Sequence, residues 1–227
     1  MGEHNPNSFF INPTSYTEIF TEINKLKSKK ANGPTSIPTN ILKLMQPSIV
    51  QPLVEIINLS FNSGKYIDSL KISKVIPIFK EKGSDLEYTN YRPISLLSNI
   101  NKIIEKILHE RLFNFLEKYN CIYNLQFGFR KGHSTNHCLF DLTENIRKAI
   151  DENKYAVGVF VDLQKAFDTV DHEILLKKLF HYGIRGTALN WFKSYLLDRQ
   201  QFVYINGIES DIRKMEYGVP NLENILI

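Results

Sequence analysis

The 227 residues are 43% hydrophobic and 12% aromatic, enough to bury a core and too apolar for wholesale disorder. A formal net charge of +4 suits a polyanionic partner without requiring one, and no stretch approaches the roughly 18 apolar residues of a membrane span. Cys121 and Cys138, with no CxxC spacing, support neither a disulfide framework nor a zinc finger. Together with the polar leader over 1–10 they point to an intracellular protein, nuclear or cytoplasmic, rather than a secreted one.

Ser15-Tyr16-Thr17-Glu18 reads as a capping box, and Tyr16, Ile19, Phe20, Ile23 and Leu26 recur at helical spacing. This first helix ends in the lysine run Lys25, Lys27, Lys29, Lys30, closed by Asn32-Gly33-Pro34. The lysines suit a solvated helix end as well as a phosphate contact. A second helical region is predicted over 39–61, kinked or broken at Pro47 and Pro52. Val75-Ile76-Pro77-Ile78-Phe79-Lys80 is β-rich, Lys82-Gly83-Ser84-Asp85 has turn composition, and Tyr91-Arg92-Pro93-Ile94-Ser95 returns. The proline in each run predicts an edge hairpin.

Ile103, Ile104, Ile107, Leu108, Leu112, Phe115 and Leu116 mark the clearest amphipathic helix, a core element. Ser134 is the expected N-cap of another helix, one that buries Leu139, Leu142, Ile146 and Ala149 and breaks at Asp151-Glu152-Asn153. Residues 155–162 form an almost continuous apolar run ending in a carboxylate, the pattern of a central strand. Helices are predicted over 171–182 and 187–197, with Trp191, Phe192 and Tyr195 in the core, and strands over 201–206 and 213–217.

An aspartate closing a strand apolar on both faces emerges where the chain changes direction and a ligand can approach. Carboxylates are costly to bury alone, so Asp162, Asp168 and Asp171 are expected to be solvated, paired with a cation or bound to metal. Turn and N-cap duty suits Asp168 and Asp171. Asp162 stands apart through its surroundings, Val161-Asp162-Leu163-Gln164-Lys165-Ala166-Phe167-Asp168-Thr169-Val170-Asp171-His172. This run resembles motif A of non-LTR retrotransposon reverse transcriptases such as the jockey and CR1 groups. Asn90-Tyr91-Arg92-Pro93-Ile94-Ser95-Leu96-Leu97-Ser98, Gln126-Phe127-Gly128-Phe129-Arg130 and Gly218-Val219-Pro220 resemble further motifs of that family, in the same order. The resemblance extends from about Lys25 to Pro220.

The resemblance implies an α+β fold of the reverse transcriptase right-hand type. Residues 1–24 would be an N-terminal extension with the start of the first helix, 25–153 a largely helical fingers subdomain and 154–227 a partial palm sheet, with the thumb absent. It also implies RNA-templated DNA synthesis by two-metal nucleotidyl transfer, with RNA template, DNA primer and dNTP as partners and Mg2+ as cofactor. By the same resemblance Asp162 and the Leu163 carbonyl bind Mg2+, and Phe167 lies under the sugar as a steric gate. Lys80, Arg92 and Gly218 contact the nucleotide, and Arg130 and Lys131 contact template or primer. The alternatives are a strand-end charge for Lys80, a structural salt bridge for Arg130 and a plain turn for Gly218.

The chain departs from the family pattern at Gly33-Pro34-Thr35-Ser36, where Gly-Pro-Asp-Gly is usual, and at Leu70, where a tryptophan is common. After Pro220 it reads Asn221-Leu222-Glu223-Asn224 in place of Gln-Gly-Ser, and no later Asp-Asp pair follows. With one carboxylate of the metal set, the isolated chain is expected to be inactive. The alternative function is a non-catalytic RNA-binding module derived from a retroelement.

Overall fold

A computed structural model of the chain describes residues 4–27, 33–34 and 37–219, and among these residues seven helices and five strands form an α+β fold. Helix α1 (Tyr16–Lys25) begins as the capping box requires, with the Ser15 hydroxyl accepting the Glu18 N–H at 3.2 Å. The Glu18 carboxylate instead takes Arg111, at 2.8 Å, from across the molecule. In the lysine run, Lys25 pairs with Glu22 at 2.6 Å, while Lys29 and Lys30 lie outside the described residues.

The predicted second helical region divides into α2 (Thr39–Leu44) and α3 (Gln46–Ser63) just before Pro47, but Pro52 does not break α3. One internal proline costs about 3 kcal/mol, whereas each fully buried large apolar side chain gains about 1.5–3 kcal/mol. Val50, Leu53, Ile57 and Phe61 all bury on one face of α3, so packing wins.

Strands β1 (Ile72–Phe79) and β2 (Tyr91–Leu96) pair antiparallel, with Pro77 opposite Pro93, as the hairpin pattern predicts. The hairpin is an edge only on the β2 side. Strand β3 (Gln200–Ile205) runs parallel to β1, from Ile72 against Gln200 to Val75 against Val203. On its other side β3 carries β4 (Ile208–Glu209) and β5 (Arg213–Lys214), so the strand predicted over 213–217 shortens to two residues. Pro77 lies beyond the last residue paired with β3, where its missing N–H takes nothing from that ladder.

Helix α4 (Asn99–Lys118) buries Ile103, Ile104, Ile107, Leu108 and Leu112, the face its periodicity predicts. One hydrophobic cluster joins it to α1, α3 and α7 (Gly186–Leu196), with Trp191, Phe192 and Tyr195 fully buried in it, and to Leu179 of α6 (His172–His181). The polar leader is tied down as well: the Asn5 and Phe9 amides donate to the carbonyls of His181 and Gly183 at 3.1 and 2.9 Å.

Two burial expectations are corrected. Helix α5 (Thr135–Asp151) forms with Ser134 as its cap, yet buries none of its residues; Leu139, Leu142 and Ile146 are exposed and Ala149 is half-buried. The run 155–162 joins no sheet among the described residues, and Val157, Val159, Phe160 and Val161 are 81–88% exposed. A strand apolar on both faces needs neighbouring strands and covering layers, and all five described strands lie elsewhere. These two consecutive apolar segments therefore lack cover among the described residues.

Candidate functional site

Asp162 closes the exposed run, and Leu163 after it is 72% exposed. Among the described residues, no three His, Cys, Asp or Glu side chains converge as a metal site. Mg2+ prefers octahedral oxygen coordination and takes carboxylates where it can. The Asp162 carboxylate and the Leu163 carbonyl begin such a shell but do not complete one for two ions, so no step is derived through metal. The other two aspartates have local duties. Asp171 caps α6, its Oδ1 accepting the Ile174 N–H at 3.0 Å, and Asp168 sits in a turn, its N–H donating to the Lys165 carbonyl at 2.9 Å.

The turn that follows Asp162 is joined to the segment around Gly218. The Val219 N–H donates to the Phe167 carbonyl at 3.0 Å and the Gly218 N–H to the Val170 carbonyl at 2.8 Å. His172 completes the junction, its Nε2–H donating to the Gly218 carbonyl at 2.6 Å. Gly218 has φ +85°, and a Cβ there would lie 2.9 Å from the Asp168 carbonyl oxygen, so this approach needs glycine. Phe167 is half-buried against the core, and its ring meets that of Phe129 edge-to-face at 6.4 Å. Phe167 and Gly218, remote in sequence, thus belong to one hydrogen-bonded unit. Asp168 and Val219 from this unit, Pro93 and Ser95 from the hairpin and Gln201 from β3 line a cavity of about 300 Å³. A larger cavity, about 990 Å³, lies beside α6 and α7 and contains none of Asp162, Phe167, Gly218, Lys80 or Arg92.

On the hairpin, the Lys80 N–H donates to the Asn90 carbonyl and extends the ladder by one pair, and Arg92 stands opposite Ile78. Side chains alternate along a strand and face their cross-strand partners, so Lys80 and Arg92 share one face. The Lys80 ammonium donates to the Thr89 carbonyl at 2.7 Å, whereas Arg92 is exposed. Asn90 and Tyr91 brace the tip through the Ser84 and Asp85 carbonyls, each at 2.8 Å. Arg130 grips both carboxylate oxygens of Glu117, at 2.7 and 3.2 Å, the salt bridge weighed as its alternative. That hydrogen bonding holds the Glu117 carboxyl below the usual carboxylate range. Lys131 is exposed beside it. The structure thus brings Phe167 and Gly218 together and places Lys80 and Arg92 on one face, while Asp162 and Leu163 stand on a run without cover among the described residues.

Sequence reasoning overlooked a buried polar cluster. Glu105, fully buried within the α4 stripe, accepts the Tyr195 O–H at 2.7 Å and the Asn101 amide at 2.8 Å. Arg199 lies over the Tyr195 ring at 4.8 Å and donates to the Tyr195 carbonyl at 3.2 Å. Burial pushes the Glu105 carboxyl up to about 7, against the opposing pull of the Tyr195 hydrogen bond and the Arg199 charge. Burial likewise raises the Tyr66 and Tyr195 hydroxyls. The available signal was a carboxylate interrupting Ile103-Ile104-Glu105-Lys106-Ile107-Leu108.

Residues 78–221 match the family described as reverse transcriptase (RNA-dependent DNA polymerase). The chain is 34% identical over 216 residues to the probable RNA-directed DNA polymerase from transposon BS of Drosophila melanogaster, covering 92% of this chain and 23% of that protein. It is 32% identical over 213 residues to the RNA-directed DNA polymerase from mobile element jockey of the same organism, with the same shares covered. A probable RNA-directed DNA polymerase from transposon X-element, also of D. melanogaster, is 29% identical over 210 residues, again covering 92% and 23%. The chain thus spans 23% of the length of these relatives.

Proposed function

The chain belongs to the reverse transcriptase family, of the kind carried by non-LTR retrotransposons, and from that premise we propose that it is the fingers and the first part of the palm of an RNA-templated DNA polymerase. On this reading residues 25–153 form the fingers and 154–227 the beginning of the palm, in the right-hand arrangement. Asp162 and the Leu163 carbonyl would offer the first oxygens to Mg2+, with the remaining carboxylates supplied from outside the described residues. The chemistry that Mg2+ would supply there is charge stabilisation in phosphoryl transfer. The chain's own residues bind and orient: Phe167 lies under the deoxyribose and excludes a 2′-hydroxyl, and Gly218 lets the backbone approach the nucleotide. Lys80 and Arg92 face the triphosphate, Arg as a forked donor and Lys as a point charge. Lys131 meets the template–primer beside the Arg130–Glu117 brace. RNA template, DNA primer and dNTP are the partners.

The observation that carries this reading is the backbone pairing of Phe167 with Val219 and of Val170 with Gly218. It joins the two motifs that belong around one nucleotide, at a cavity that the hairpin also lines.

Binding and primer extension test the proposal together. With RNA template, DNA primer, dNTPs and Mg2+, the chain should bind primer–template and extend nothing. Its affinity should fall with salt, with a log–log slope of about −0.7 to −0.9 per neutralised phosphate. Product that vanishes in Asp162→Ala would show that the metal set is complete after all, and no binding at low salt would end the polymerase reading. A non-catalytic RNA-binding module would also bind without synthesis. Phe167→Ala separates the two, because only a polymerase site loses dNTP affinity with that ring.

A further inference from the structure

Three hydrogen bonds hold residues 218–219 on the 167–172 turn. Two are backbone to backbone and available to almost any sequence; the third depends on one side chain, His172, through its 2.6 Å bond to the Gly218 carbonyl. His172 is 8% exposed and opens α6, whose start is fixed by the Asp171 cap. Gly218 is also buried and is held at both its N–H and its C=O. At φ +85° it lies against the Asp168 backbone and has no room to turn. The carbonyl that His172 engages is therefore the point where the 218–219 segment is fixed to the first turn of α6.

We propose that His172 is a positioning residue: by holding the Gly218 carbonyl it sets the register between Phe167 and the 218–219 segment, and so the width available to the sugar of a bound nucleoside triphosphate. The ligand in this proposal rests on the polymerase reading above; the clamp does not. The imidazole suits the task because it offers a rigid ring N–H donor at the required reach. Glutamine presents an amide N–H at similar reach, whereas leucine fills comparable volume and leaves a buried carbonyl unpaired.

Three measurements on the full chain test this. Nitrogen–proton correlation of the imidazole should find His172 as the Nε2–H tautomer with a slowly exchanging ring proton; the Nδ1–H tautomer overturns the clamp. Amide hydrogen exchange at Gly218 and Val219 should quicken about tenfold or more in His172→Leu and stay within about twofold in His172→Gln, with Leu175 and Leu176 of α6 unchanged. Equal rates at Gly218 and Val219 in all three proteins overturn it as well. Equilibrium dialysis of tritiated dATP and ATP, with Mg2+, reads the consequence. The preference for dATP should shrink toward parity in His172→Leu and return in His172→Gln, and an unaltered preference beside faster exchange refutes the positioning role. If the unsubstituted chain binds neither nucleotide, the polymerase reading fails, and tautomer and exchange rates alone decide the clamp.

Discussion

A carboxylate in the buried stripe of a helix must give up its charge or find compensation, and Glu105 draws on both. Two hydrogen bonds and the nearby Arg199 favour the ionised form, but burial outweighs them and pushes the carboxyl up from 4.5 to about 7. The unfolded chain therefore releases this proton at lower pH than the folded one. The stabilisation from Glu105 is whole below about pH 4.5 and is lost as pH rises through about 7. Urea unfolding should show the chain less stable at pH 8 than at pH 5 by on the order of 2–3 kcal/mol. Glu105→Gln should flatten that dependence; a midpoint that rises with pH would mean that Arg199 keeps Glu105 ionised. Residues such as Asp171 and Ser134 are legible in sequence because a cap bonds within three positions of itself. His172 and Gly218 are 46 positions apart, and nothing local announces their contact.

At the level of elements, caps and periods carry over well, whereas burial holds for α4 and α7 and fails for α5 and the run 155–162. Helices α4 and α5 each present an apolar face, yet α4 is core and α5 is bare. A pattern states which face can be buried; only a partner buries it. The same distinction explains the run 155–162, whose strand composition is plain and whose neighbours are missing among the described residues. The hairpin was legible from its turn, while the parallel β1–β3 pairing has no local signature at all. Because the α6 cap acts locally, its energetic weight can be isolated. Asp171→Ala should cost about 0.5–2 kcal/mol, read as a lower thermal midpoint and faster exchange of the Ile174 amide. Unchanged exchange at Ile174 would remove the cap from the account.

Taken whole, the molecule joins an apolar cluster around Trp191 to a helix and an extended run that lack cover among the described residues. Contiguous apolar surface of this kind drives association. The chain should bind a hydrophobic dye and self-associate as its concentration rises, and Phe160→Asp should weaken both. Since Phe160 is 86% exposed, the thermal stability of that variant should stay within about 0.5 kcal/mol of the parent. A large loss of stability would mean that the ring is covered in solution. The parallel pairing of β1 with β3 carries a consequence for biosynthesis. Val75 finds its partner only when Val203, 128 positions later, has left the ribosome. At about 5–20 residues per second that is a wait of roughly 6–25 s, during which one side of β1 stays open to chaperones and to other nascent chains.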